Sequence, residues 1–251
     1  MPGYDPDFLQ TPIALPGFAP RLEGKLLERE RLEGGVYRHY VNYSLAMHAE
    51  RRTAVFAALN IDQTRLKPVD RGPWDTDAVV GEENQLDNDY YRNNRWDRGH
   101  LARRASAAHG DSTREARVAS DATMVYTNAA LQFDSFNQDE WLGLEDWAKA
   151  LDLDADGRVT VFSGPIWGDD PLWVRPSGRP PAEVPAAFFK IVCFTNRRHL
   201  LEVRAFIVPQ DAKAMADRRG RRRVDNQRYQ TSVAEIEQLT GLLFDPVVAE
   251  T

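Results

Sequence analysis

The chain has 251 residues, enough for one domain with a substantial core, and 32 Lys and Arg against 38 Asp and Glu leave a formal net charge of −6. No run approaches the ~20 apolar residues that a membrane helix needs, and the single cysteine, Cys193, excludes an internal disulfide and a cysteine-rich metal site. The acidic balance weighs against a basic surface throughout, but Arg92, Arg95, Arg98, Arg103 and Arg104 crowd one stretch and Arg218, Arg219, Arg221, Arg222 and Arg223 another.

In chain order, the opening MPGYDPDFLQTPIALPGFAP lacks a basic start followed by an apolar run, so no secretory signal is expected. That fits a cytoplasmic protein, and equally a domain cut from a longer chain. Residues 1–35 read as an extended lead-in with a short charged helix, leaving 36–251 as the main domain. VYRHYVNYSLAMHAERRTAVFAALNI (36–61) reads as two strands joined by a polar turn at 49–52, the second buried on both faces. Residues 62–95 are polar and rich in Asn, Asp and Gly, the mark of long surface loops, which are often functional. DSTREARVASDA (111–122) reads as a short helix, with a strand at 124–127 after it. Residues 139–151 (DEWLGLEDWAKAL) place Trp141, Leu144, Ala148 and Leu151 at helical spacing. A turn, LDADG, leads to the strand RVTVFSGPIW. A Pro-rich loop (169–185) precedes AFFKIVCFT and LLEVRAFIVP, both strands, with Cys193 inert in the first. TSVAEIEQLTGLLF carries a Thr231 or Ser232 cap and a helix stopped by Gly241. Strands and helices mix without strict alternation, which favours an α+β domain.

The chemistry concentrates in two places. RWDRGHLARR holds His100 among arginines, with Gly99 expected to bend the backbone away from a helix and His100 expected on a loop. Nearby cations lower a histidine's pKa, keeping it neutral and able to take a proton near pH 7. The second place is YTNAALQFDSFNQDEWLGLED (126–146). Asn137 and Asp139 can each cap the helix that follows, and Asn137 can also offer an amide oxygen to a hard cation. Glu145 lies ~12 Å further along such a helix, too far for one ion to bind both directly. Glu145 would therefore act through ordered water, which suits magnesium.

Together, DRGH (Asp97–His100) and the run Thr127, Asn128, Gln132, Phe136, Asn137, Gln138, Trp141, Leu144 and Glu145 closely resemble the DNA/RNA non-specific endonucleases. Weaker likeness extends from GYDPDFL through AVFAALNID and VFSGPIW to SVAEIEQLTGLLF. The resemblance implies the ββα-metal (His-Me finger) fold, a central, mainly antiparallel sheet carrying a strand–loop–strand–helix unit from about 95 to 151. It implies His100 as general base, Asn137 as the protein ligand of Mg2+ (Mn2+ as a substitute), and Glu145 holding the ion's water. Arg98 and Asn128 would support the site and the phosphate, and Arg71, in RGPWDTD, would match an upstream arginine. Two departures stand out: Leu131 replaces a proline common before Gln132, and Lys149 replaces an arginine, losing a two-pronged phosphate grip. The implied activity is hydrolysis of DNA and RNA to 5′-phosphate products.

Other features read plainly. DLDADG (152–157) imitates a calcium loop but has Ser163 at its twelfth position, where a bidentate Glu is required. His39, His48, His109 and His199 share no ligand spacing, and the tryptophans read as core or loop anchors. The competing readings are a catalytically silent nucleic-acid-binding module and a small-nucleotide phosphodiesterase. An unregulated nuclease is toxic, so control by an inhibitor, a regulatory partner or a compartment is expected; no membrane association is expected, and a homodimer is left open.

Overall fold

The computed structural model describes residues 3–134, 151, 156–210 and 226–250. Among them, seven strands form one fully antiparallel sheet. Its members in chain order are β2 (Tyr37–Tyr40), β3 (Tyr43–Met47), β4 (Ala54–Asp62), β7 (Arg158–Ile166), β10 (Ala187–Thr195), β11 (Leu201–Pro209) and β12 (Gln230–Thr231). Across the sheet the order is β12-β11-β10-β7-β4-β3-β2. The central strands β4 and β10 are buried at every position, as expected for β4, because the sheet is covered on both faces.

Alternation splits each strand between two cores. Ala57, Leu59 and Ile61 of β4 join Val159 and Val161 of β7 and Phe188, Val192 and Phe194 of β10 on one face. Phe56, Ala58, Phe162, Phe189, Ile191 and Cys193 line the other. The second face is closed by the two ends of the chain: Tyr4, Leu9, Ile13, Leu22 and Leu26 from the start, and Val233, Ile236, Leu242, Phe244 and Val248 from the end. Here β1 (Gly17–Phe18) pairs with β13 (Leu242–Leu243), beside α1 (Pro20–Glu23), α4 (Val233–Thr240) and α5 (Pro246–Ala249). Ser232 caps α4 by accepting from the Glu235 amide at 3.1 Å, and Gly241, at φ 81°, ends it in the left-handed region.

The first face carries the unit that matters for chemistry. A separate two-stranded ribbon, β5 (Trp96–His100) and β6 (Ala129–Phe133), lies against it through Ala130, with Leu101, Ala102 and Ala107 from the segment that follows β5. This segment includes α2 (Arg104–Ala107) and α3 (Thr113–Ala122), whose Ser112 and Glu115 form a reciprocal capping box. The ribbon's far face meets a third apolar cluster of Leu86, Tyr90, Tyr91, Tyr126, Ala129, Leu131, Val174, Ala182 and Val184.

Four expectations change. The stretch 36–48 is itself a hairpin, turning at Asn42 with φ 68°, so three strands stand where two were expected. Residues 126–128 form a 3₁₀ turn, and the strand begins at Ala129. The Pro-rich loop holds a short hairpin of β8 (Leu172–Val174) and β9 (Ala182–Val184). Among the described residues the DRGH-bearing strand pairs with β6 alone, outside the seven-stranded sheet. The helix expected at 139–151 lies outside the described residues except for Leu151, as do the arginines at 218–223. No helix among the described residues is long and apolar enough to cross a membrane.

Candidate active site

His100 ends strand β5, opposite Ala129 of β6. It therefore stands on a strand, not the loop expected from its neighbours. Alternation along the ribbon sends Arg98 and His100 to the face shared with Ala129 and Leu131, towards the aromatic cluster. Gly99 points the other way. Its role is space, not a turn: a Cβ there would lie 2.0 Å from Gln132 Oε1 and 2.3 Å from Gln132 Cγ. The Gln132 side chain crosses that gap, with both of its polar atoms buried and unpartnered.

The backbone after His100 is held by Asn128. Its Oδ1 accepts from the Ala102 amide at 2.8 Å, and its Nδ2 donates to the carbonyls of Ala102 at 2.9 Å and Thr123 at 3.0 Å. The Leu101 amide donates to the Asn128 carbonyl at 3.0 Å. Asn128 is fully buried, and its amide is spent on the main chain, so it shapes the site without turning a group towards a phosphate. Thr127 beside it bonds the Tyr40 hydroxyl at 2.7 Å. Tyr40 also donates to Asp77 Oδ2, which accepts as well from Arg38 Nε at 2.6 Å. Burial pushes the Asp77 carboxyl up, but its bonds to Tyr40, Arg38 and the Val79 amide outweigh this and hold it below the usual range.

The loop before β5 brings in the remaining groups. Asp75 pairs with the backbone at 124–126, accepting from the Tyr126 amide at 3.0 Å and donating to the Met124 carbonyl at 2.9 Å. Trp74 is thereby set over His100, their ring centroids 4.7 Å apart. It stacks in turn on Tyr126 at 5.6 Å, and Tyr126 on Tyr91 at 6.2 Å. The guanidinium carbons of Arg71 and Arg98 lie 5.8 and 6.0 Å from the centre of the Trp74 ring. Arg98 donates to Asn88 through Nη2. Arg104 anchors the same loop through Val69 O at 3.0 Å.

This surrounding sets the electrostatics. Burial, then Arg71, Arg104 and Arg103, lower the pKa of His100 to about 3, so its ring is neutral near pH 7. Burial and the neighbouring Arg104 and Arg98 also lower Arg71. Among the described residues, four groups in this layer are buried without a hydrogen-bond partner: His100 Nε2, Arg98 Nε, Trp74 Nε1 and Tyr91 Oη. Buried polar atoms in folded proteins are nearly always paired, so a concentration of orphans in one cationic spot marks a place for a ligand. The set is rich in donors and suits an anion.

Of the residues expected to act, the structure brings His100, Arg98 and Arg71 together and places Asn128 behind them. Asn137, Glu145 and Lys149 lie outside the described residues. Among the described residues no group of three or more His, Cys, Asp or Glu could hold a metal ion. A cation there would depend on an amide oxygen, water and the substrate's phosphate, a donor set suited to magnesium. Sequence reasoning assigned no role to Gln132 and left Trp74 as a core or loop anchor; it overlooked Tyr91, Tyr126 and Asp77. The PWDTD and NDYY runs are the only local signs of these, and neither reveals the contacts.

Comparison with known proteins accords with this geometry. The family model for DNA/RNA non-specific endonucleases matches residues 26–251. An uncharacterised protein, y4fB, of Sinorhizobium fredii is 31% identical over 96% of this chain, which spans 38% of that protein's length. Human mitochondrial endonuclease G is 28% identical over 82% of this chain and 68% of its own, and the bovine protein 29% identical over 62% and 50%. A chain in the crystal structure of the EndoG/EndoGI complex superposes with a TM-score of 0.63 at 21% identity, covering 83% of this chain and 84% of that one. The fold is that of the ββα-metal nucleases. With a family model spanning both the sheet and the ribbon that carries His100, the chain belongs to the DNA/RNA non-specific endonuclease family.

Proposed function

We propose that this chain is a magnesium-dependent endonuclease that hydrolyses DNA and RNA with little regard for sugar or sequence, leaving 5′-phosphate products. The observation that carries the reading is the neutral, unpartnered His100 beside Arg71 and Arg98. A neutral imidazole can take the proton of a water that attacks phosphorus in line with the departing 3′ oxygen. Arg98 and Arg71 stabilise the charge that builds on the phosphoryl oxygens. Asn128 holds the turn after His100 at fixed height, and Lys149 adds a single charge to a neighbouring phosphate. Asn137 would hold magnesium through its amide oxygen, with Glu145 acting through the ion's water. When bound, the ion supplies charge neutralisation at the phosphate and at the leaving oxygen. Because water is the nucleophile, no 2′-hydroxyl is required, and contacts to phosphate carry no base sequence. Manganese is expected to substitute for magnesium.

The test is cleavage of supercoiled plasmid and of single-stranded RNA by wild type, His100→Ala and Asn137→Ala, with magnesium and with EDTA. Cutting of both substrates by wild type only with the metal, and loss of at least a hundredfold in each variant, is the expected result. Binding without cleavage under any divalent ion would replace this reading with that of a silent binding module. The EndoG/EndoGI complex was solved for a mechanism of inhibition, and we extend the idea of an inhibitor to this chain as well. Full activity of the native protein in unstressed cells would count against such control.

A further inference from the structure

Trp74 stands in the site with an unused donor. Its indole Nε1 is buried and has no hydrogen-bond partner among the described residues, although an indole N–H shut away from water normally finds one. The ring is not free to turn and seek one elsewhere. Asp75 next to it is fixed by two backbone bonds to the 124–126 segment, Tyr126 stacks on the ring, and His100 lies against it at 4.7 Å. Arg71 and Arg98 flank the same ring, and Arg98 Nε and His100 Nε2 are likewise unpartnered. Three unpartnered polar groups and a second guanidinium thus gather around the Trp74 ring, and the one neutral fixed donor among them is the indole.

We propose that Trp74 is a substrate-contacting residue whose indole N–H donates to an anionic oxygen of the phosphate bound beside His100. The proposal rests on the nuclease reading above and adds a donor to it. A neutral donor suits a place where guanidiniums already crowd and repel one another, because it adds a bond to the anion without adding charge. It reaches phosphate and not a base, so it serves DNA and RNA alike. It also leaves a signature that distinguishes it from the arginines: its loss weakens binding without changing the salt dependence, since no counterion-releasing charge is removed.

The experiment measures binding of fluorescent single-stranded DNA and RNA in EDTA, over a range of salt, for wild type, Trp74→Phe and a chain carrying 3-benzothienylalanine at position 74. The last keeps the size and shape of tryptophan but has no N–H, so it carries the test if the smaller phenylalanine unfolds the chain. Both are expected to bind either nucleic acid about tenfold more weakly, the worth of one hydrogen bond to a charged group, with an unchanged salt slope. Binding by the isostere within twofold of wild type would overturn the proposal, leaving the N–H to ordered water. So would weaker binding with an altered slope, which would show displaced arginines. Cleavage by wild type with magnesium is measured alongside. A wild type that binds but does not cut defeats the nuclease reading while the binding comparison still decides the role of Trp74; one that does not bind defeats both.

Discussion

Gly99 is held to glycine by the side chain of Gln132, three of whose atoms lie within 2.3 Å of where a Cβ would be. Because Cγ is among them, Gln132 cannot escape by swinging its tip. Gly99→Ala should therefore cost about 2 kcal/mol or more in urea denaturation, as overpacking of a buried site does, and should remove most cleavage by shifting His100. The double variant Gly99→Ala with Gln132→Ala should regain most of that stability; no recovery would show that the crowding lies elsewhere. His100 makes a second prediction. Its pKa falls from an ordinary 6.5 to about 3 in the folded chain. Above pH 6.5 it is neutral folded and unfolded, and contributes no pH dependence. As pH drops from 6.5 towards 3 the unfolded chain takes up a proton that the folded chain refuses, so stability falls. At pH 5 this amounts to at most about 2 kcal/mol. His48, lowered to about 4 by burial and by Arg51 and Lys25, pushes the same way. Wild type should thus lose stability relative to His100→Gln between pH 7.5 and pH 5, read as the difference in urea midpoints; a constant difference would mean the folded site accepts the proton.

At the scale of elements, the 3₁₀ turn Tyr126–Asn128 is the joint on which the site depends. It links α3 to β6, and through Asn128 it fixes Ala102 just past His100. Asn128→Ala would strand the Ala102 amide, the Ala102 carbonyl and the Thr123 carbonyl inside the protein. We expect a loss of about 3 kcal/mol or more, since each buried orphan costs about 1–3 kcal/mol, with faster hydrogen exchange at the Ala102 amide. Cleavage should fall more than substrate binding, because Arg71 and Arg98 are held by other elements; equal loss of both would argue that the turn serves binding. Gln210 plays a similar part for the ribbon: its Nε2 bonds the carbonyls of Leu131 at 3.0 Å and Pro185 at 2.7 Å, and its Oε1 accepts from the Phe133 amide at 3.1 Å. Elements with a strong local signature, such as α3 with its capping box and α4 with its glycine stop, stand where their residues place them. The hairpin at Asn42 was hidden because its turn lies within an alternating apolar run, and β8 and β9 because prolines and glycines mask two short strands.

At the scale of the whole molecule, the two chain ends make one layer over the sheet. Tyr4 packs 5.7 Å from Phe162, and Phe162 5.5 Å from Phe244, so start, centre and end share a single core. Tyr4 also donates its hydroxyl to Ile13 O at 2.9 Å, while its amide bonds Ser44 Oγ at 2.8 Å. Removing residues 1–15 would uncover the sites of Tyr4, Leu9 and Ile13, each worth about 1.5–3 kcal/mol of burial. The total of about 5–9 kcal/mol rivals the stability of an ordinary domain. The truncated chain should therefore unfold or aggregate, as seen by loss of a cooperative thermal transition; a soluble product melting as wild type does would show that this layer is dispensable.

From its residues alone, the chain determined the mixed strand-and-helix composition, the doubly buried β4, the short helix α3, the cap and glycine stop of α4, and the coincidence of DRGH with the TN and FNQ run that marks its family. Those are local properties, set by spacing of two or three and a half residues and by side chains acting on their own backbone. Only the tertiary structure decided that β5 and β6 form a ribbon apart from the main sheet, that Gly99 makes room for Gln132, and that Asn128 serves the backbone. It also decided that Trp74 lies on His100. Such contacts join segments tens of residues apart, and their partners are chosen by packing and by the need to pair every buried polar group, a demand that no local pattern records.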